Sequence, residues 1–341
     1  MADRQCIFCG RLIDLEKYAL FRLPPDHRRV PDEVYRSYLE IRGKAGRYDF
    51  PEACGIGSAD TAKIVYENGK PVLTTKTGRS TDTLICPSCH NEILRDTMPG
   101  SVNTAVFFGG RNSGKTSLIT ALANECITSV FSYDERYRYI FCDSIYDSAL
   151  ITDAAAKISS GAKPADLRDP VAVFRMTSAA EGSRVVCDVM HDVSAEDTED
   201  DFSIAFGLPF AAGAEHFVYC IPADKLADTL VSLDAGADMR VRLGLDAMTH
   251  TLRDDCKPPE LDVVVTKLDL GEKSGGAAAD ISAVRDNEKA LLNYIYTAFP
   301  CVGEYEKVFD GVRVFTASAV SPMTDGEGVT LTQKLYSGIF R

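Results

Sequence analysis

No apolar stretch in this chain reaches the roughly 18 residues that a membrane-crossing helix needs. The nearest approach, Phe202 to Pro222, is interrupted by Glu215 and His216. The opening Met1-Ala2-Asp3-Arg4-Gln5 lacks the apolar core of a secretory signal, so a cytoplasmic protein with no membrane span is expected. No internal repeat points to an array of modules. Positive charge is in short supply: 37 Lys and Arg face 50 Asp and Glu, for a net charge of −13. The first hundred residues are nearly balanced, with 15 against 14, whereas the remainder carries 22 against 36. An acidic body of that kind repels nucleic-acid backbones and anionic lipid, so general nucleic-acid binding is not expected. Protein or small-molecule partners fit better.

A disulfide framework is also missing. Of the 11 cysteines, Cys54, Cys126, Cys142, Cys187, Cys220, Cys256 and Cys301 are scattered, mostly in apolar runs where a thiol behaves as a small hydrophobe. The other four form two pairs, Cys6-x-x-Cys9 followed by Gly10, and Cys86-x-x-Cys89. Four thiolates on two such turns suit tetrahedral Zn²⁺ at about 2.3 Å and leave no open position, which makes the metal a staple. A dithiol redox site is the rival reading, and His90 is an alternative ligand, although an ordinary surface role suits it better. These residues mark out a split zinc-ribbon-like module over residues 1–98. Inside it, Pro31 to Arg42 is expected to be helical. Lys63 to Leu73 reads as a hairpin, because Asn68-Gly69 favours a type I′ turn between strand-forming runs.

From residue 99 to 341 the pattern alternates strands and helices, which predicts an α/β domain with a mostly parallel sheet covered by helices on both faces. Expected strands are Val102–Phe108, Val171–Thr177, Arg184–Val189, His216–Ile221, Leu261–Thr266 and Val312–Thr316. Expected helices are Lys115–Cys126, Asp143–Ser159, Ala223–Leu233, Asp238–Arg253, Ile281–Phe299 and Thr330–Gly338.

The first strand leads into Gly109-Gly110-Arg111-Asn112-Ser113-Gly114-Lys115-Thr116, which fits G-x-x-x-x-G-K-[ST] throughout. Such a loop turns its N–H groups inward around an anion, and the following helix adds its positive end. A nucleoside triphosphate is therefore expected on Gly109, Asn112, Ser113, Gly114, Lys115, Thr116 and Ser117. Lys115 would reach the β- and γ-phosphates and Thr116 would hold Mg²⁺. A later apolar strand ends in Thr266-Lys267-Leu268-Asp269. The Asp269 carboxylate can accept from two guanine N–H groups that adenine does not present. The Lys267 stem can cover the base, and Thr266 can tie this loop to the phosphate loop. Ser318-Ala319, after a further apolar strand, would offer a backbone N–H to the guanine carbonyl.

In this order the motifs resemble the translation-factor-like (TRAFAC) branch of P-loop GTPases over residues 102–340, with Thr266 where that family more often has Asn. The resemblance implies GTP or GDP with Mg²⁺, and a metal-side aspartate, assigned to Asp188 at the end of its strand. The family's D-x-x-G pattern then places His191 at the glycine position and Asp192 just after it. Either becomes a candidate for orienting water, and Lys115 is a catalytic candidate through its reach to the phosphates. Thr152 and Thr177 are candidate switch threonines, and Arg168 and Arg175 candidate arginine fingers. A zinc ribbon ahead of such a domain resembles the double-GTPase proteins of bacterial conflict systems, which implies GTPase-associated proteins as partners. The function expected is a slowly hydrolysing, nucleotide-dependent switch. The alternatives are a GTP-loaded scaffold without useful catalysis, and a P-loop ATPase or small-molecule kinase.

Overall fold

A computed structural model describes the chain apart from residues 1–3, 15–18, 42–47, 56, 59–60, 68–69, 94–100, 129–136, 142–147, 161–170, 178–184, 194–209, 233–234, 253–256, 270–276, 321–329 and 341. The chain divides into two units, Met1–Ser101 and Val102–Arg341.

The first unit is made of short antiparallel pieces. Leu20–Arg22 lies between Leu84–Ile85 and Ala53–Gly55, and Arg29–Pro31 pairs with Asp49–Pro51. The hairpin joins Thr61–Glu67 to Lys70–Thr75, with Ser80–Thr81 alongside. The helix begins at Glu33, two residues later than the expected Pro31. Asp32 sets that start, because its carboxylate accepts from the Tyr35 N–H at 2.9 Å and caps the helix. Phe8, Tyr35, Tyr48 and Phe50 pack edge-on about this helix. Two- and three-residue strands bury little surface, and a unit of this size gains much from a cross-link.

The second unit carries a seven-stranded sheet. Its strands are β1 (Ser101–Phe108), β2 (Tyr137–Phe141), β3 (Val171–Thr177), β4 (Val185–Asp192), β5 (His216–Pro222), β6 (Glu260–Thr266) and β7 (Val312–Thr316). Their spatial order is β2-β3-β4-β1-β5-β6-β7. Neighbours from β1 through β7 on that side run parallel, whereas β2–β3 and β3–β4 are antiparallel. The helices are α1 (Lys115–Thr128), α2 (Ser148–Ser159), α3 (Ala223–Ser232), α4 (Ala235–Thr249), α5 (Ala277–Ala283), α6 (Glu288–Ala298), α7 (Pro300–Tyr305) and α8 (Leu331–Ile339).

Alternation along the strands gives the sheet two apolar faces. Ala105, Phe107, Met190, Val218 and Cys220 face a core with Leu118, Ile119 and Leu122 of α1, Ile151 of α2 and Leu335 and Ile339 of α8. Their neighbours Phe108, Phe217 and Tyr219 face the other way and interlock edge-on, with ring centroids 4.9–6.2 Å apart. Gly244 of α4 packs on that second face, where an added Cβ would lie 3.6 Å from the Tyr219 ring.

Several of the described elements differ from the sequence expectation. β2 and α7 were not expected at all. β4 continues to Asp192, beyond the expected end at Val189. The single helix expected over Ile281–Phe299 is α5 followed by α6, because the Asn287 side chain accepts the Ala290 N–H at 3.1 Å and starts a new helix.

Candidate nucleotide site and four-cysteine centre

The phosphate loop joins the carboxyl end of β1 to α1. Its curvature needs positive φ at Gly109 (134°), Asn112 (62°) and Gly114 (87°). Gly109 has a second constraint: a Cβ there would sit 2.5 Å from the Cys220 carbonyl oxygen of β5. The Lys115 ammonium is buried inside the loop and donates to Gly109 O at 2.7 Å, Gly110 O at 3.2 Å and Ser113 Oγ at 3.3 Å. Ser117 follows in the first turn of α1, half-buried. Cys220, behind the loop, has its thiol pushed up to about 12 by burial, with the Lys115 charge opposing.

The base-side residues converge on this loop. The Thr266 hydroxyl donates to Ser113 O at 2.6 Å, which joins the end of β6 to the phosphate loop. Lys267 takes φ 57°, and its Cε lies 3.8 Å from where a Gly114 Cβ would be, so its stem runs beside that glycine. Asp269 is buried, and the Ser318 hydroxyl donates to its Oδ1 at 2.6 Å. Ser318 therefore acts through its side chain as well as by position. Ala319 is half-buried next to it.

The carboxylate that meets Thr116 is Asp192: the Thr116 hydroxyl donates to its Oδ2 at 2.5 Å. The expected partner, Asp188, lies four residues back along β4, about 13 Å away at the usual rise per strand residue. It is fully buried, accepting from Asn103 Nδ2 at 2.9 Å and from the Tyr336 hydroxyl of α8 at 2.7 Å. Asp188 thus holds β1, β4 and α8 together and falls short of the phosphate loop, on the same face of β4 as Asp192. The extra length of β4 explains the displacement, since Asp192, not Asp188, reaches the strand's carboxyl end.

His191 lies on the other face of the strand. Strand alternation turns it to the face opposite Met190 and Asp192, where its ring stacks on Phe210 at 4.1 Å and 4° and is buried. Among the other candidates, Thr152 is exposed on α2. The side chains of Thr177 and Arg175 lie outside the described residues, as do Arg168 and the acidic run Glu196–Asp201.

In the first unit, Cys6, Cys9, Cys86 and Cys89 are all buried, with their four sulfurs within 4.8 Å of one another. Cys6 to Cys89 and Cys9 to Cys86 each measure 3.7 Å, each pair joining one knuckle to the other. A thiolate tetrahedron around Zn²⁺ at about 2.3 Å has edges of about 3.8 Å. A disulfide would need about 2.05 Å. The cluster therefore fits a closed tetrathiolate centre. Hydrogen bonding with Cys86 pushes the Cys6 thiol well above its usual range, and the same contact holds Cys86 far below it. Four ionised thiolates in this space would repel one another unless a cation sat among them.

His90 is neither a fourth ligand nor a surface residue. Its Nδ1 lies 2.8 and 3.0 Å from the two carboxylate oxygens of Asp32, with the two side chains 15% and 5% exposed. Arg22 donates to Asp32 Oδ2 at 2.7 Å and to the His90 carbonyl at 3.2 Å. Burial works against the Asp32 charge, but the Tyr35 N–H and the Arg22 guanidinium outweigh it and hold the carboxyl below its usual range. Sequence reasoning missed this group because Asp32 and His90 are 58 residues apart.

A further cluster of metal-type ligands, His216, Glu260 and Asp262, stands at the amino ends of β5 and β6. Arg313 already fills it, with Nη2 2.9 Å from Glu260, 2.7 Å from Asp262 and 3.2 Å from His216.

No description of a known protein family and no curated protein matches this chain. Solved structures with similarity include the Ski7 GTPase-like domain of S. cerevisiae bound to GTP, at 16% identity and a TM-score of 0.36. That alignment covers 72% of this chain and 50% of that one. The SRb-GTP/SRX complex of the signal recognition particle receptor from Chaetomium thermophilum gives 14% identity over 69% of this chain and 97% of that one, with a TM-score of 0.36. Sup35 complexed with GDP gives 14% over 70% and 43%, with a TM-score of 0.34. The alignment thus spans half or less of the Ski7 and Sup35 chains.

Proposed function

We propose that this protein binds GTP and GDP with Mg²⁺, hydrolyses GTP slowly and uses the bound nucleotide to set the shape of loops that protein partners read. The observation that carries the reading is the buried Ser318–Asp269 hydrogen bond of 2.6 Å, next to the Thr266–Ser113 tie. These contacts hold Asp269 beside the phosphate loop, which supports its reading as the acceptor for a base attached to phosphates there. Lys115 would exchange its carbonyl partners for the β- and γ-phosphates, and the N–H groups of the loop would surround them.

The metal-side role passes from Asp188 to Asp192, which with Thr116 offers oxygen ligands of the kind Mg²⁺ prefers. The pattern that starts there reads Asp192-Val193-Ser194-Ala195, with alanine at the glycine position and its last two residues outside those described. The nucleotide-sensing segments are residues 147–169 and 191–213. The four cysteines hold structural zinc. The likeness of a zinc ribbon ahead of such a domain to double-GTPase proteins of conflict systems makes GTPase-associated proteins in the cytoplasm the partners to test.

A second reading, a GTP-loaded scaffold, is favoured by one feature: His191 faces Phe210 and Asp192 is engaged by Thr116, so neither is set to orient water. Titration with fluorescent GDP, followed by competition with GTP, ATP and XTP, tests the binding claim. Selective displacement by GTP, lost in Lys115→Ala, is expected, and equal displacement by ATP would overturn guanine recognition. Single-turnover hydrolysis with and without a candidate partner separates switch from scaffold.

A further inference from the structure

The two cysteine knuckles share one backbone design. In the first, the Cys6 N–H donates to Arg11 O at 2.8 Å and the Gly10 N–H returns to Cys6 O at 2.7 Å. In the second, the Cys86 N–H donates to Asn91 O at 2.9 Å and the His90 N–H returns to Cys86 O at 2.8 Å. The residue after the second cysteine takes positive φ in both, 70° at Gly10 and 54° at His90. Glycine adopts that conformation freely and histidine does so at a cost. Something in the histidine side chain must offset the cost.

We infer that His90 is a positioning residue which, through Asp32, locks the Cys86–Cys89 knuckle in its metal-ligating shape. The inference rests on the reading that the four cysteines bind zinc. Its physical basis is a closed chain of contacts: His90 Nδ1 to Asp32, Asp32 to the Tyr35 N–H at the start of the helix Glu33–Ile41, and Arg22 to both Asp32 and the His90 carbonyl. Arg22 is itself held over the Phe50 ring at 4.8 Å. The knuckle is thereby fastened to the helix and to the short sheet of Leu20–Arg22, independently of its sulfurs. The first knuckle has glycine at the same place, so no side chain at that position can form such a tether, and its contact with the helix is the Phe8 ring edge-on to Tyr38.

The test is release of zinc from the purified full chain to a chromophoric chelator, for wild type, His90→Gly, Asp32→Asn and the double variant. Asparagine caps a helix as well as aspartate does, so Asp32→Asn spares the helix start while weakening the tether. His90→Gly improves the backbone and deletes the tether, so the two explanations predict opposite signs. Release about tenfold faster in either single variant, with no further gain in the double variant, is the expected result. Release from His90→Gly as slow as wild type or slower would overturn the inference, as would additive effects. Wild-type protein that is folded but contains no zinc would refute the zinc reading itself, a different failure seen before any variant is made.

Discussion

Replacing Asp269 by asparagine changes one atom type at the point where base identity would be read. In the native protein one carboxylate oxygen accepts from Ser318 at 2.6 Å, and the residue is only 8% exposed. The Ser318 hydroxyl needs an acceptor, so an asparagine at 269 would turn its carbonyl oxygen to Ser318 and its amide N–H groups towards the base. Guanine presents donors there, so two favourable hydrogen bonds to a charged acceptor would be replaced by donors facing donors. Hydrogen bonds of that type contribute about 1.5–3 kcal/mol each, so GDP affinity should fall by about a hundred- to ten-thousandfold. Xanthine presents an oxygen at the position of the exocyclic amine and should now be preferred. Isothermal titration of Asp269→Asn with GDP and XDP in the presence of Mg²⁺ measures both effects. If the variant binds GDP within about threefold of wild type, Asp269 does not read the base and the guanine assignment fails.

Three more outcomes follow from the same geometry. Tyr336→Phe removes a neutral donor to the buried Asp188 carboxylate, and should lower unfolding free energy by about 1–3 kcal/mol in urea; a loss below about 0.5 kcal/mol would show that Asp188 does not need the hydroxyl. Gly109→Ala forces φ 134° on a side chain and drives its Cβ to 2.5 Å from the Cys220 carbonyl, so nucleotide binding should be lost, and unchanged GDP affinity would refute the close-approach argument. Thiol titration of native protein before and after treatment with a strong chelator should reveal four additional reactive cysteines per chain, the members of the buried cluster; no increase would count against a metal among them.

Legibility from sequence followed the range of the interaction. The phosphate loop is local: its glycines, lysine and threonine stand within eight consecutive positions, and strand and helix follow directly. The apolar strand that ends at Thr266 was similarly readable. What could not be read was which aspartate in Asp188-Val189-Met190-His191-Asp192 reaches the strand's end. Both lie on the same face of β4, because their separation is an even number of residues. Register against β1 decides between them, through Asn103 on Asp188 and the Val193 N–H on Phe107 O, and neither contact leaves a mark in the local pattern. Ser318 was placed at the base for its backbone, while its hydroxyl on Asp269, 49 residues away, depends on β6 and β7 being neighbours. β2 did carry a signal: Tyr137-Arg138-Tyr139-Ile140-Phe141 mixes charge and aromatics as an edge strand does, and an apolar-run criterion passes over it.

The two candidate metal positions in this chain obey opposite chemistry, and that difference has a practical consequence. The four-cysteine cluster offers only soft sulfur, so a cation closed within it would have no position left for substrate or water. Thr116 and Asp192 offer hard oxygen from two elements, too few ligands to hold a cation by themselves. An ion between them must take its remaining ligands from water and from phosphate oxygens, which ties its residence to that of the nucleotide. Mg²⁺, which favours oxygen and sheds water reluctantly, has no affinity for the thiolates even in large excess, while Zn²⁺ satisfied by four sulfurs gains nothing by moving. On the proposed reading, exchange of nucleotide would strip and reload the oxygen site repeatedly while a zinc ion at the sulfur site would stay throughout. A weak chelator of divalent cations should accelerate GDP release without removing zinc, and only a chelator strong enough to compete with four thiolates should open the first unit.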